Sequence, residues 1–279
     1  MPEEHARGLG WKPNTVNTSH GPAHHLFSAS PYILPAGDYR QLARDYGKNG
    51  QRIYQGQAGA CWAFSTARCL QLYYAVRDIV APVAAPGFMY WNGRREEYAG
   101  LTPESLSDEL EDTGTEPRHG ITALSQLGFC AWDDFPYTDN PIVIAKQPPD
   151  AAYLAAYSQK GLRWGVIETS GFDRIDQLDD MLKRGLPAQF GMRVDSAFMQ
   201  WKGPGPISSI DMEHVRGGHM LTPLFVDYMN DCVWFDNWWE YWGPEEYDGM
   251  GKLSFKVFGD PRIVSDVIVM EYLPTLVRK

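Results

Sequence analysis

Between Cys61 and Val76 apolar side chains fall on nearly every face a helix would have: Trp62, Ala63, Phe64, Ala67, Cys69, Leu70, Leu72, Tyr73 and Tyr74. A helix that is apolar all round is a buried one, so a central helix is expected there. Shorter helices are expected over Leu101–Glu111, where Thr102-Pro103 supplies a start signal, and over Ile121–Leu127, stopped by Gly128. Ala151–Gln159 and Ile175–Lys183 carry helical spacing too. The pattern changes after Gly185. Leu186–Val194, Met220–Tyr228, Cys232–Asn237, Leu253–Phe258 and Ile263–Leu273 are β-rich, partly alternating, and separated by Gly, Pro, Asn and Asp. Helices first and strands second point to an α+β chain of two lobes, and a cleft between lobes is a usual place for a site.

The first 36 residues follow neither pattern. They are rich in Pro, Gly, Ser, Asn and His and read as an irregular arm. Its His5, His20, His24 and His25 have no Cys or acidic partner at ligand spacing, so no metal site is expected. The best apolar run, Ile79 to Trp91, is broken by Pro82 and Pro86 and falls short of a membrane span.

Composition narrows the partners. The formal charge of −10 disfavours nucleic acid, and scattered basic residues give no polybasic membrane anchor. Four widely spaced cysteines in 279 residues do not make a disulfide scaffold. With no apolar leader at the N-terminus, a cytoplasmic, reducing location is expected.

Cys61 stands apart from the other three. It opens the central helix after Gly56-Gln57-Ala58-Gly59-Ala60, a loop of mostly small residues. A helix N-terminus favours a thiolate, and small neighbours let a carbonyl come close. Cys69, farther along the same helix, is expected to be inert, and Cys130 and Cys232 to be core thiols. A thiolate needs a base. His119 sits in a polar stretch expected to turn, and His214 in a solvated loop. His219 follows Gly217-Gly218 and opens an apolar strand, so it is the preferred partner. Asn237 closes the next strand and can orient the imidazole, with the indoles of Trp238-Trp239 screening that bond. Gln55 can donate to an oxyanion beside the Cys61 N–H.

Together these residues resemble the papain-like cysteine peptidases, in a form closer to the bacterial and phage-type branch. The family's signature C-G-[SA]-C-[WY] is met by Ala58-Gly59-Ala60-Cys61-Trp62, and its asparagine stretch by Asn237-Trp238-Trp239-Glu240. The first cysteine is replaced by Ala58, which removes a disulfide of secreted members. His219 and Asn237 lie 158 and 176 residues after Cys61, beyond the usual ~130–150, so rim insertions are expected. The resemblance implies a two-lobed fold, a helical lobe and a β-barrel-like lobe with the active-site cleft between them. The expected division is an arm over 1–36, which could lie across the cleft and block it, then a catalytic domain over 37–279, mainly helical to 171 and mainly β from 172.

The resemblance also implies roles: Cys61 as nucleophile, His219 as base, Asn237 as its orienting residue and Gln55 in the oxyanion hole. Gly59, Ala60, Trp62, Gly114, Gly218 and Trp239 are expected to line the substrate site. No cofactor is implied, and the expected partner is a polypeptide substrate. Two other readings use the same residues: a thiol-dependent amidase, deamidase or transferase, and a binding protein that keeps the fold without turnover.

Overall fold

The structure is a computed structural model and describes residues 8–13, 34, 36–45, 52–80, 82–98 and 110–272. The helices are α1 (Arg40–Asp45), α2 (Cys61–Val76), α3 (Pro86–Glu96), α4 (Pro117–Leu127), α5 (Pro141–Ala145), α6 (Asp150–Ala156), α7 (Gly171–Lys183), α8 (Ser196–Met199) and α9 (Phe255–Gly259). The strands are β1 (Leu162–Val166), β2 (Ala188–Val194), β3 (Gly217–Asp227), β4 (Cys232–Asp236), β5 (Met250–Ser254) and β6 (Val264–Tyr272). They form one antiparallel sheet in the order β1-β6-β2-β3-β4-β5.

The central helix α2 spans the residues its apolar character predicts, and all but its last residue are buried. It is fastened to the sheet by polar bonds inside an apolar interface. Ser65 Oγ donates to the Leu221 carbonyl at 2.9 Å, and Thr66 Oγ1 donates to Gln189 Oε1 at 3.1 Å. Such buried bonds fix the helix in rotation and translation against β2 and β3. On its other side α2 packs against α3 and α4, where the Trp62 ring lies on Gly120 and touches Gly93.

Several elements differ from their expected form. Pro86, read as a break in an apolar run, is the first residue of α3, a position where its missing N–H costs nothing. The expected strand Leu253–Phe258 divides: β5 ends at Ser254, whose hydroxyl caps Val257 N at 3.3 Å and starts α9. His119 lies within α4, not in a turn, 3.9 Å from Glu97. Strand β1 lies between two stretches read as helices, in the lobe expected to be mainly helical, and pairs with β6 at the sheet edge. The helix expected near Thr102 lies outside the described residues, as do His5, His20, His24 and His25.

Candidate active site

Cys61 is the first residue of α2 and is wholly buried. Across from it, β3 carries His219, opposite Met192 of β2 in the sheet register. The backbone N–H of Met220, next to His219, reaches the Cys61 thiol, which ties the sulfur to the start of β3. His219 Nε2 lies 2.8 Å from Asn237 Oδ1, and the same oxygen accepts the Trp238 N–H at 2.7 Å. An oxygen that already accepts from a backbone amide is an acceptor toward the imidazole, so Nε2 carries the proton. That leaves Nδ1 as the nitrogen for exchange with a thiol. Trp239 stacks on the His219 ring, centroids 4.2 Å apart and planes within 20°.

Gln55 is buried, with its backbone N–H on the Trp238 carbonyl at 3.0 Å and its carbonyl accepting from Tyr137 Oη at 2.7 Å. Its Nε2 donates to the Ala58 carbonyl at 2.8 Å and to the Gly8 carbonyl at 3.0 Å. The Gly8 carbonyl also accepts Trp239 Nε1 at 3.1 Å. The space between Gln55 and Trp239 therefore holds a peptide oxygen supplied by the arm.

That segment runs on through the cleft, hydrogen-bonded on both sides. Gly8 N–H donates to the Gly56 carbonyl at 3.2 Å. The Gly10 carbonyl accepts from Thr115 N–H at 2.8 Å, and Trp11 N–H donates to the Gly218 carbonyl at 3.3 Å. Trp11 pairs in parallel with Thr115. The two arm glycines are required by the close approach. A Cβ on Gly8 would stand 1.9 Å from the Ala58 oxygen, and one on Gly10 1.7 Å from that of Gly59. Gly114, at φ +76°, faces the Gly10 carbonyl in the same way.

Burial governs the thiol. Burial pushes Cys61 up to about 11, against an opposing pull from the N–H groups of Met220, Gly10, Trp62 and Cys61 itself. Burial therefore works against the thiolate that the helix start and its N–H groups favour. Burial also raises Cys69, Cys130 to about 12 and Cys232 to about 11. All four thiols are free and buried.

Gly59, Ala60, Gly114, Gly218 and Trp239 all border the arm or the thiol. Trp62 does not line the cleft with its side chain: the ring is fully buried in the core against Gly120, and only its backbone N–H faces the sulfur. His214 is exposed on its loop, 2.8 Å from Asp211.

Five residues not singled out in the sequence hold the walls. Asp112 accepts Gly59 N–H at 3.0 Å and the Tyr90 hydroxyl, which itself accepts Gly114 N–H at 3.0 Å. This joins the loop before Cys61 to the wall that pairs with the arm. Behind Asn237, buried Asp236 pairs with Arg52 and with Arg68, the latter at 2.8 Å, and Arg52 donates to the Asn237 carbonyl at 2.6 Å.

With the two-lobed geometry in view, the cysteine protease xylellain of Xylella fastidiosa aligns over 98% of this chain and 99% of its own, at a TM-score of 0.74 and 21% identity. The fold is papain-like. Procathepsin B of Trypanosoma congolense matches with a TM-score of 0.60 at 13% identity, covering 95% of this chain and 86% of its own. Bromelain of Ananas comosus matches at 0.54 and 15%, covering 84% and 96%. In sequence, an uncharacterized peptidase C1-like protein of Acanthamoeba polyphaga mimivirus is 26% identical over a 233-residue alignment that covers 78% of this chain and 69% of the relative. No family model matches the chain. The papain-like resemblance read from Cys61, His219 and Asn237 is thus supported by both sequence and structure. No helix among the described residues is long and apolar enough to cross a membrane.

Proposed function

We propose that this chain is a cysteine peptidase whose nucleophile is Cys61 and whose cleft is closed by its own N-terminal arm. The observation that carries this reading is the grip on Gly8–Lys12: both walls bind an extended main chain through its carbonyl and N–H groups, directly over the thiol. A site built for a side-chain amide or a non-peptide substrate has no need of such pairing, so a polypeptide is favoured as substrate.

The chemistry follows from the placement of each group. With the arm displaced, water and substrate reach Cys61 and the cost of a buried thiolate falls. The Cys61 proton passes to His219 Nδ1, and the imidazolium is held in orientation by Asn237 Oδ1 on Nε2. The thiolate attacks the scissile carbonyl carbon, and Gln55 Nε2 with the Cys61 N–H receives the developing oxyanion. His219 protonates the departing amine. It then takes a proton from water, whose oxygen attacks the thioester and releases Cys61.

Gly10→Val tests the closure in the full chain. The added side chain has no room against Gly59, so the arm is expelled. Hydrolysis of unfolded casein is expected to rise at least about tenfold, since a competent state held at a tenth or less of the population lowers the apparent rate in proportion. Equal rates for Gly10→Val and the parent chain contradict the closure.

A further inference from the structure

The Gln55 side chain is aimed by one peptide group. Its amide nitrogen carries two hydrogens. One is given to the Ala58 carbonyl at 2.8 Å, the other to the Gly8 carbonyl, the arm oxygen in the cleft, at 3.0 Å. The bond to Ala58 sets the direction of the second N–H. Gln55 Oε1 is buried and has no hydrogen-bond partner among the described residues, so nothing else selects between the two faces of the amide. The far end of the same peptide group is the Gly59 N–H, which donates to Asp112 Oδ1 at 3.0 Å and to Oδ2 at 3.1 Å.

Glycine at position 59 is what makes this second bond matter. A glycine lets the peptide before it turn over at little steric cost. Turned over, the Ala58–Gly59 peptide would set an N–H against the Gln55 donor and a carbonyl oxygen against the Asp112 carboxylate. Gln55 could follow only by turning its own oxygen toward the cleft, where it would repel an oxyanion. A carboxylate accepts and cannot donate, so it favours one orientation of the peptide.

Asp112 is exposed, yet its segment is pinned by two side chains of α3, one turn apart. Arg94 donates to the carbonyls of Leu110 and Glu111 at 3.0 and 2.7 Å. The Tyr90 hydroxyl donates to Asp112 and accepts Gly114 N–H at 3.0 Å. The Arg94 guanidinium lies 4.0 Å from the centroid of the Tyr90 ring, which keeps the pair together.

We propose that Asp112 is a positioning residue for the reaction: through the Ala58–Gly59 peptide it keeps one N–H of the Gln55 amide pointed at the oxyanion. The assignment rests on the peptidase reading for what Gln55 does in turnover, and on the hydrogen bonds alone for how its amide is held.

Two measurements test it. The first compares hydrolysis of unfolded casein among Gly10→Val chains. Asp112→Ala removes the acceptor and is expected to lower the rate about tenfold, the weight of one hydrogen bond to a charged group. Asp112→Asn keeps an acceptor oxygen for Gly59 and is expected to stay within about threefold of the parent rate. Gln55→Ala removes the donor itself and is expected to cost about a hundredfold or more. Adding Asp112→Ala to Gln55→Ala is expected to cost nothing further, because the aspartate acts through the glutamine. The same loss from Asp112→Ala in both backgrounds is a general structural effect and would overturn the assignment, as would no loss in either. The second measurement needs no turnover. Exchange of the Gln55 amide hydrogens is followed by NMR in the full chain carrying isotope-labelled glutamine, with Gln55→Ala to assign the signal. Asp112→Ala is expected to speed exchange about tenfold over the parent and over Asp112→Asn; unchanged exchange would overturn the assignment. If Gly10→Val cuts no casein while exchange still separates Asp112→Ala from Asp112→Asn, the positioning stands and the peptidase reading fails.

Discussion

Asp236 is fully buried between two guanidinium groups, one of which also holds the backbone of Asn237. Removing one member of a buried ion cluster leaves charge uncompensated and costs roughly 3–5 kcal/mol. Asp236→Ala is therefore expected to lower Tm by roughly 10 °C for a domain of this size, checked by calorimetry. An unchanged Tm would mean that the arginines find other partners. This cluster was not legible in the sequence. Arg52, Arg68 and Asp236 are far apart along the chain, and no local spacing marks them as neighbours. Cys61, Gln55 and the His219–Asn237 pair were legible because each carries a local cue: a small loop before a helix, or a polar residue at the end of an apolar strand. Trp62 carried a false cue. Adjacent to the thiol in sequence, it was expected at the substrate, but a helix turns successive side chains by about a quarter-turn or more, and its ring enters the core.

The same logic extends to the elements. Helix α4 packs on α2 through Gly120, where a Cβ would stand 2.5 Å from the Trp62 ring. Gly120→Ala gains helix propensity of roughly 0.5–1 kcal/mol but overpacks by about 1–3 kcal/mol. The net expectation is a loss of stability, read as a lower denaturation midpoint; a higher midpoint would show that α4 can shift away. Helix α2 could be read from sequence because its apolar character is continuous. Helix α3 could not, since Pro86 ends one pattern and begins another, and both look like a break. Helix α9 mimics a strand because Phe255, Val257 and Phe258 are apolar around Lys256, and Ser254 decides the outcome by capping. The arm was read as irregular, so the course of Gly8-Leu9-Gly10-Trp11 through the cleft was not visible in the sequence. No local pattern revealed its walls either, because Gly114-Thr115 and Gly218 meet the arm only after the lobes are assembled.

Taken as a molecule, the chain places a helix-borne thiol on one side of a cleft, a strand-borne imidazole on the other, and its own N-terminal segment between them. The α+β, two-lobed expectation came from segregated periodicities and is met by the papain-like fold. Burial raises the Cys61 thiol to about 11, and in the proposed closure the seated arm maintains that burial until it leaves. The sign is clear: raising pH alone restores the thiolate only as the thiol's raised range is approached, whereas expelling the arm restores it near neutrality. Iodoacetamide labelling at pH 6.5, read by peptide mass spectrometry, compares the full chain, Gly10→Val, and Gly10→Val with His219→Ala. The account predicts slow labelling of Cys61 in the full chain and selective, fast labelling in Gly10→Val. It also predicts loss of that speed when His219 is removed, with Cys69 and Cys130 unreactive throughout. Cys61 labelling no faster than Cys69 in the Gly10→Val chain, or at a rate indifferent to His219, would contradict it.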